Sequence, residues 1–283
     1  MPWLSRGICV IFESILLHQM GEYTIRGGDK GRERLAILTN TLAQQTRNLL
    51  ADSKLRKDFN CLDLGCGSGA VSLELLKYLD ASGSVLGIDI DPSNVRYAQS
   101  NVDKLNLANI SFEHGDVYSL SYDRQFDLVY SRFLLSHLNN PEMALSNIYK
   151  ALSPNGMLII EDTDFSGHFS YPRNEYFDQY VLWYQKLLKT RNANANIGPE
   201  LMGLLEKAGF RDISFEIKQP AHIDSQGKLM AEITLEAVSV PLLAQKICTK
   251  SELEKTLKEL KDFRKRSGTI LSMPRIFQYR ACK

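Results

Sequence analysis

Leu62-Asp63-Leu64-Gly65-Cys66-Gly67-Ser68-Gly69, followed by AVSLELLKYL at 70–79, carries the most specific pattern in the chain. It predicts a short buried strand over 59–64, a glycine turn over 65–69 and a helix over 70–79. Glycines at such a turn accept positive φ and let the backbone approach a ligand closely. The helix beyond presents free N–H groups and a partial positive charge to an anion. A G-x-G alone is weak evidence. Here it stands at the carboxyl end of the first strand, where doubly wound sheets bind ligands.

The same rhythm continues outward. A second strand over 85–90 ends in GIDID, placing Asp89 twenty positions beyond Gly69. A carboxylate there accepts the two hydroxyls of a ribose in dinucleotide sites. Asp91-Pro92 then opens a helix, with Asp suited to the N-cap and Pro to the first helical position. A third strand over 110–113 runs into His114-Gly115-Asp116-Val117, where a carboxylate or its neighbouring backbone suits an adenine amine. A fourth strand over 126–130, a helix from Asn140-Pro141 and a fifth strand over 157–160 follow. Upstream, Leu35, Leu38, Leu42 and Leu49 form one apolar helical face. Alternating strands and helices with apolar strands imply an α/β fold: a doubly wound, mostly parallel sheet with helices on both faces.

After Thr163 the alternation breaks. The region 164–197 is rich in aromatics, among them Phe165, Tyr171, Phe177, Tyr180 and Tyr184. It reads equally as ordinary core and as an insertion over a substrate pocket. Helices over 199–208, 227–240 and 250–264, and strands over 210–217 and 269–279, complete the pattern.

Composition narrows the partners. The 283 residues carry 34 Lys+Arg against 33 Asp+Glu, a formal charge of +1. A protein held by phosphates usually carries a basic excess, so nucleic acid is not the expected partner. The five cysteines form no CxxC and the five histidines no HExxH, so no metal site is expected from local spacing. The odd cysteine count argues against a disulfide framework and for a reducing, cytoplasmic setting. The apolar run 8–17, ICVIFESILL, is interrupted by Glu13 and too short to span a bilayer. Residues 1–20 are expected to be a dispensable extension, and 21–283 a single domain.

The motifs LDLGCGSG, GIDIDP, GDV, FDLVYSRFLLSHL and LSPNGMLIIED together resemble those of the class I S-adenosylmethionine-dependent methyltransferases. The resemblance runs from about Tyr23 to the C-terminus and implies a seven-stranded Rossmann-like sheet. It implies S-adenosyl-L-methionine as cofactor. Asp63, Gly65 and Gly67 would back its methionine part and Asp89 would bind its ribose, with Cys66 and Ile90 also among the cofactor-binding positions. Asp116 and Val117 would line the adenine, and Ser131-Arg132 would lie beneath the cofactor. The segment YTIRGGDKG resembles an N-terminal piece that folds over the amino-acid end, which nominates Tyr23 and Arg26.

Other readings stand beside these. Asp116 also suits a loop cap, and Arg26 a solvated surface. His137 is a candidate base, though such a histidine is more often a satisfied, partly buried one. A tyrosine of 165–184, such as Tyr171, is another candidate. The expected reaction is in-line transfer of a methyl group to O, N or C of a small, partly apolar molecule. Such a transfer needs alignment and exclusion of water more than a catalytic cluster. An NAD(P)-dependent oxidoreductase is the first alternative, since Gly65-x-Gly67-x-x-Ala70 fits the loose dinucleotide pattern. A non-catalytic S-adenosylmethionine-binding protein is the second.

Overall fold

The computed structural model describes residues 28–224 and 227–283. Helix α1 (Gly28–Asp52) leads into strand β1 (Asn60–Leu64) and helix α2 (Ala70–Leu76). Strand β2 (Ser84–Asp89), helix α3 (Pro92–Lys104), strand β3 (Ile110–His114) and strand β4 (Phe126–Arg132) follow. Helix α4 (Pro141–Ala151) returns to strand β5 (Leu152–Asp164). Asp91 caps α3 by accepting the Ser93 N–H at 2.8 Å, and Asn140 caps α4 by accepting that of Met143 at 3.0 Å. Both starts were legible as Asp-Pro and Asn-Pro pairs.

The second half holds β6 (Ser170–Tyr171), α5 (Glu175–Lys189), α6 (Leu201–Lys207), β7 (Arg211–Lys218) and β8 (Ala221–His222). Helices α7 (Leu229–Ala237), α8 (Ser239–Ala244) and α9 (Lys250–Lys265) precede β9 (Ile270–Ser272) and β10 (Arg275–Cys282). The main sheet has seven strands in the order β3-β2-β1-β4-β5-β10-β7. The five strands from β3 to β5 pair in parallel, and β10 runs antiparallel to both neighbours. The order reverses between β1 and β4, the crevice where such sheets bind ligands.

The expected last strand over 269–279 is in fact two strands. β9 leaves the main sheet and joins β6 and β8 in a three-stranded sheet. Two-residue strands carry no periodicity, so β6 and β8 were invisible to pattern reading.

The aromatic region does not stand alone. Phe177, Tyr180, Trp183, Leu187 and Leu188 pack with Leu235, Leu242, Leu253, Leu260 and Phe263 in one buried cluster. Helix α5 is thereby fused with α7, α8 and α9 into a helical cap over the carboxyl ends of the strands. Helix α1 ties cap to sheet: Leu38 and Leu42 are buried against Met230, Met273 and Ile276.

Candidate active site

A cavity of about 1010 Å³ lies between the strand ends and the cap. That is the upper end of the usual range for ligand sites, with room for two molecules side by side. Its lower wall is built by the three strand ends singled out above.

In the first, Gly65, Gly67 and Gly69 have φ of +70°, +55° and +81°. A Cβ on Gly69 would stand 2.7 Å from the Phe112 ring, so this position needs glycine for space as well as for backbone. The Gly65 and Cys66 amides both donate to the Ile88 carbonyl, at 2.8 and 3.1 Å, which pins the loop to β2. Asp63 is buried and accepts the Ser72 hydroxyl at 2.6 Å. Burial pushes its carboxyl up to about 6, against the opposing pull of that bond and of Arg132.

The second strand end carries Asp89. One carboxylate oxygen accepts the Gly67 N–H and the other the Asp91 N–H, each at 2.8 Å. The Asn94 side chain also donates to this carboxylate, and with about four lone-pair sites on its two oxygens the group retains capacity to accept a ribose hydroxyl. Burial raises its carboxyl, and the two backbone donors oppose that. Ile90 is 38% exposed, an apolar side chain on the cavity wall whose carbonyl lies 3.1 Å from His114 Nε2.

At the third, Asp116 caps the short turn 117–119 by accepting the Tyr118 N–H at 2.9 Å through Oδ1. The loop-cap reading is therefore realised for one oxygen, while the residue also lines the cavity beside Val117.

Arg132 lines the cavity and donates to Thr39 and Thr46 of α1, at 3.0 and 3.3 Å. Ser131 does not. Successive residues of a strand point to opposite faces; Ser131 is fully buried and absent from the cavity wall, and its hydroxyl has no hydrogen-bond partner among the described residues. Tyr23 and Arg26 lie outside the described residues. Tyr171 is 64% exposed and off the cavity wall; the tyrosines of 165–184 that line it are Tyr180 and Tyr184.

His137 lines the cavity on the short turn 135–137. The turn is held by buried Asp162, which accepts the Ser136 N–H at 3.1 Å. Burial lowers the His137 imidazole to about 4, and Arg34 and Arg191 push the same way.

Charge divides the cavity. The carboxylates on its wall are Asp63, Asp89 and Asp116, all on strand ends. Arg34, Arg132, Arg191 and Lys228 face it from α1, β4 and the cap. Of these, Arg34, Arg191 and Lys228 were not singled out from sequence, nor was His168 of the cap wall. His168 follows the short turn 165–167 at the end of the fifth strand, and that position is the signal that would have found it. Among the described residues no group of three or more His, Cys, Asp or Glu is placed to hold a metal ion. No helix among them is long and apolar enough to cross a membrane.

Comparison with known proteins agrees with this geometry. Residues 55–263 match the methyltransferase domain family. Methyltransferase str3 of Strobilurus tenacellus is 29% identical over 66% of this chain and 65% of its own. Demethylmenaquinone methyltransferase of Lactiplantibacillus plantarum is 32% identical over 41% of this chain and 50% of its own. The chain thus spans from half to just under two thirds of the length of these curated relatives. The YcgJ protein of Bacillus subtilis superposes with a TM-score of 0.58 at 15% identity, over 85% of this chain and 98% of that one, and so shares the fold.

Proposed function

The chain belongs to the methyltransferase domain family, and from that premise we propose that it moves a methyl group from S-adenosylmethionine to a nucleophilic atom of a small, partly apolar molecule. The observation that carries this reading is Asp89. Its carboxylate is anchored by two backbone amides at the floor of the cavity, directly against a positive-φ glycine loop. That arrangement fits an adenosyl ligand, with Asp89 toward the ribose hydroxyls, Ile90 and Val117 along the adenine, and Asp116 at its edge. The loop Gly65-Cys66-Gly67, Asp63 and Arg132 would face the amino-acid end, and Tyr23 and Arg26 are proposed to reach it from outside the described residues.

When bound, the sulfonium supplies an electrophilic methyl carbon. The chain's own part is to align the nucleophile with that carbon and exclude water. The cap provides the second half of the cavity for this purpose. A relative named for demethylmenaquinone supports an acceptor with an apolar body. We read 21–283 as one functional unit acting in a reducing, cytoplasmic setting. The buried, unbridged thiols of Cys61, Cys66 and Cys248 support that setting.

Incubation with S-adenosylmethionine labelled at the methyl carbon, against a panel of small phenols, quinols and amines, tests the reading. Label is expected in a small organic product, with S-adenosylhomocysteine released in equal amount. Hydride exchange with NAD or NADP and no methyl transfer would overturn it in favour of an oxidoreductase.

A further inference from the structure

His168 stands on the cavity wall where the turn 165–167 leaves β5, at the boundary of sheet and cap. Its Nδ1 lies 2.9 Å from the Phe165 carbonyl oxygen. A carbonyl only accepts, so Nδ1 carries the hydrogen and Nε2 carries a lone pair. The ring is held by aromatic neighbours, with centroids 4.4 Å from Phe165, 5.6 Å from Phe177 and 6.2 Å from Tyr180. Phe165 is stacked on Tyr184 at 4.1 Å. His168, Phe165, Phe177, Tyr180 and Tyr184 all line the cavity, so the imidazole is set in an aromatic wall.

Resting on the function proposed above, we propose that His168 is the general base of this site, and that the acceptor is a small planar molecule bearing a phenol- or enol-type hydroxyl. As the acceptor oxygen forms its new bond to the methyl carbon and the S–CH₃ bond breaks, the hydroxyl proton passes to Nε2. The positive charge of the sulfonium is thereby replaced by that of the imidazolium, which later gives its proton to water.

Two comparisons select this histidine and this class of acceptor. His137 and His168 are both kept neutral by burial, each lowered to about 4. Protonated His137 would face Arg34 and Arg191. Protonated His168 would face Asp164 and the Phe165 carbonyl, which favour the cation. The other charged or titratable groups around His168 are Tyr180 from α5 and Arg275 from β10, whose guanidinium is bound to Asp164 at 2.7 Å. The acceptor class follows from charge. Away from the strand ends the wall bears Arg34 of α1 and Arg191 and Lys228 of the cap, and no carboxylate. Those cations repel an ammonium acceptor and favour the negative charge that develops on a hydroxyl oxygen as it gives up its proton, while the aromatic rings take a flat apolar body.

The test uses 4-nitrophenol, whose phenolate absorbs visibly, titrated into the protein saturated with S-adenosylhomocysteine at mildly acidic pH. Free probe is then mostly un-ionised. Bound probe is expected to show the phenolate band, because the imidazolium–phenolate pair, with Asp164 and the Phe165 carbonyl beside it, offsets the burial that lowers the empty-site imidazole. His168→Asn keeps a donor to the Phe165 carbonyl and removes the base. It is expected to cut the ionised bound fraction about tenfold, with thermal midpoint and S-adenosylhomocysteine affinity within about twofold of the parent. His168→Gln offers an amide near the Nε2 position and is expected to bind the probe un-ionised. Tyr171→Phe, on the exterior, is expected to change nothing. An unchanged phenolate band in His168→Asn, or no probe binding by protein that does bind S-adenosylhomocysteine, would overturn the proposal. Protein that fails to bind S-adenosylhomocysteine would bring down the underlying function, and this proposal with it.

Discussion

The Asp89 carboxylate accepts the backbone N–H of Gly67 at 2.8 Å, across a separation of 22 residues. The acid at the end of β2 therefore closes the glycine loop before any ligand arrives. Removing it should loosen the loop as well as the ligand. Asp89→Ala is expected to raise amide exchange at Gly67 and Asp91 and to destabilise the fold by about 1–3 kcal/mol, the scale of losing hydrogen bonds to a charged acceptor. Asp89→Asn keeps one acceptor oxygen and should fall between. Exchange measured by nuclear magnetic resonance reads both.

Gly69 tests the loop independently. Its φ is +81° and an added Cβ would meet Phe112 at 2.7 Å, whereas Gly268, at φ +69°, has open space around it. Gly268→Ala should cost about 1 kcal/mol from backbone strain alone. Gly69→Ala should cost more, about 2–4 kcal/mol, because overpacking adds to the strain. Urea unfolding of the two variants compares them directly.

The buried acids and histidines give opposing pH dependences. Asp63 titrates at about 6 when folded, above its ordinary 3.8. Between those values the native state holds more protons than the unfolded chain, so stability falls as pH rises. The penalty is absent below the lower value and complete above the higher. Asp162, also raised to about 6 by burial, behaves the same way. His137 and His168, lowered to about 4, act oppositely: the unfolded chain binds the extra proton, and stability rises with pH across nearly the same window. The parent profile should thus be shallow. Asp63→Asn removes one contribution. It is expected to gain on the parent by on the order of 2–3 kcal/mol as pH rises from about 4 to about 7, read from urea midpoints.

The cap is held by its own apolar cluster. Leu235 of α7 is fully buried there, against the same cluster as Phe165 and Tyr184 of the cavity wall. Leu235→Ala is expected to destabilise by about 2–5 kcal/mol. Because the glycine loop is built on β1, β2 and α2, S-adenosylhomocysteine affinity at low temperature should change far less than acceptor binding.

Much of this was legible in the sequence because each strand end carried its own signal. Gly65 and Gly67 marked the first, Asp89 the second and Asp116 the third, and parallel strand order brings consecutive ends together. What escaped notice lacked a local pattern. Ser131 and Arg132 are neighbours in sequence, but the strand's alternation sends only Arg132 to the cavity. The histidine emphasis fell on His137, while His168 is distinguished by a carbonyl three residues back and by rings from α5. The aromatic region reads as core and as pocket wall because it is both. Its outer faces pack on α7 and α9, and Phe165, Phe177, Tyr180 and Tyr184 turn inward. The joining of α5 with α7, α8 and α9 rests on contacts some sixty residues apart, which no periodicity encodes.

The proposed function stands or falls on whether the strand ends bind an adenosyl ligand of the S-adenosylmethionine type through Asp89. Calorimetric titration of the protein with S-adenosylhomocysteine, and separately with NAD and NADP, tests it most directly. Saturable binding of S-adenosylhomocysteine alone is expected, weakened about a hundredfold or more in Asp89→Ala, in line with losing two charge-assisted bonds. Binding of NAD or NADP instead, or S-adenosylhomocysteine binding that is indifferent to Asp89→Ala, would contradict it.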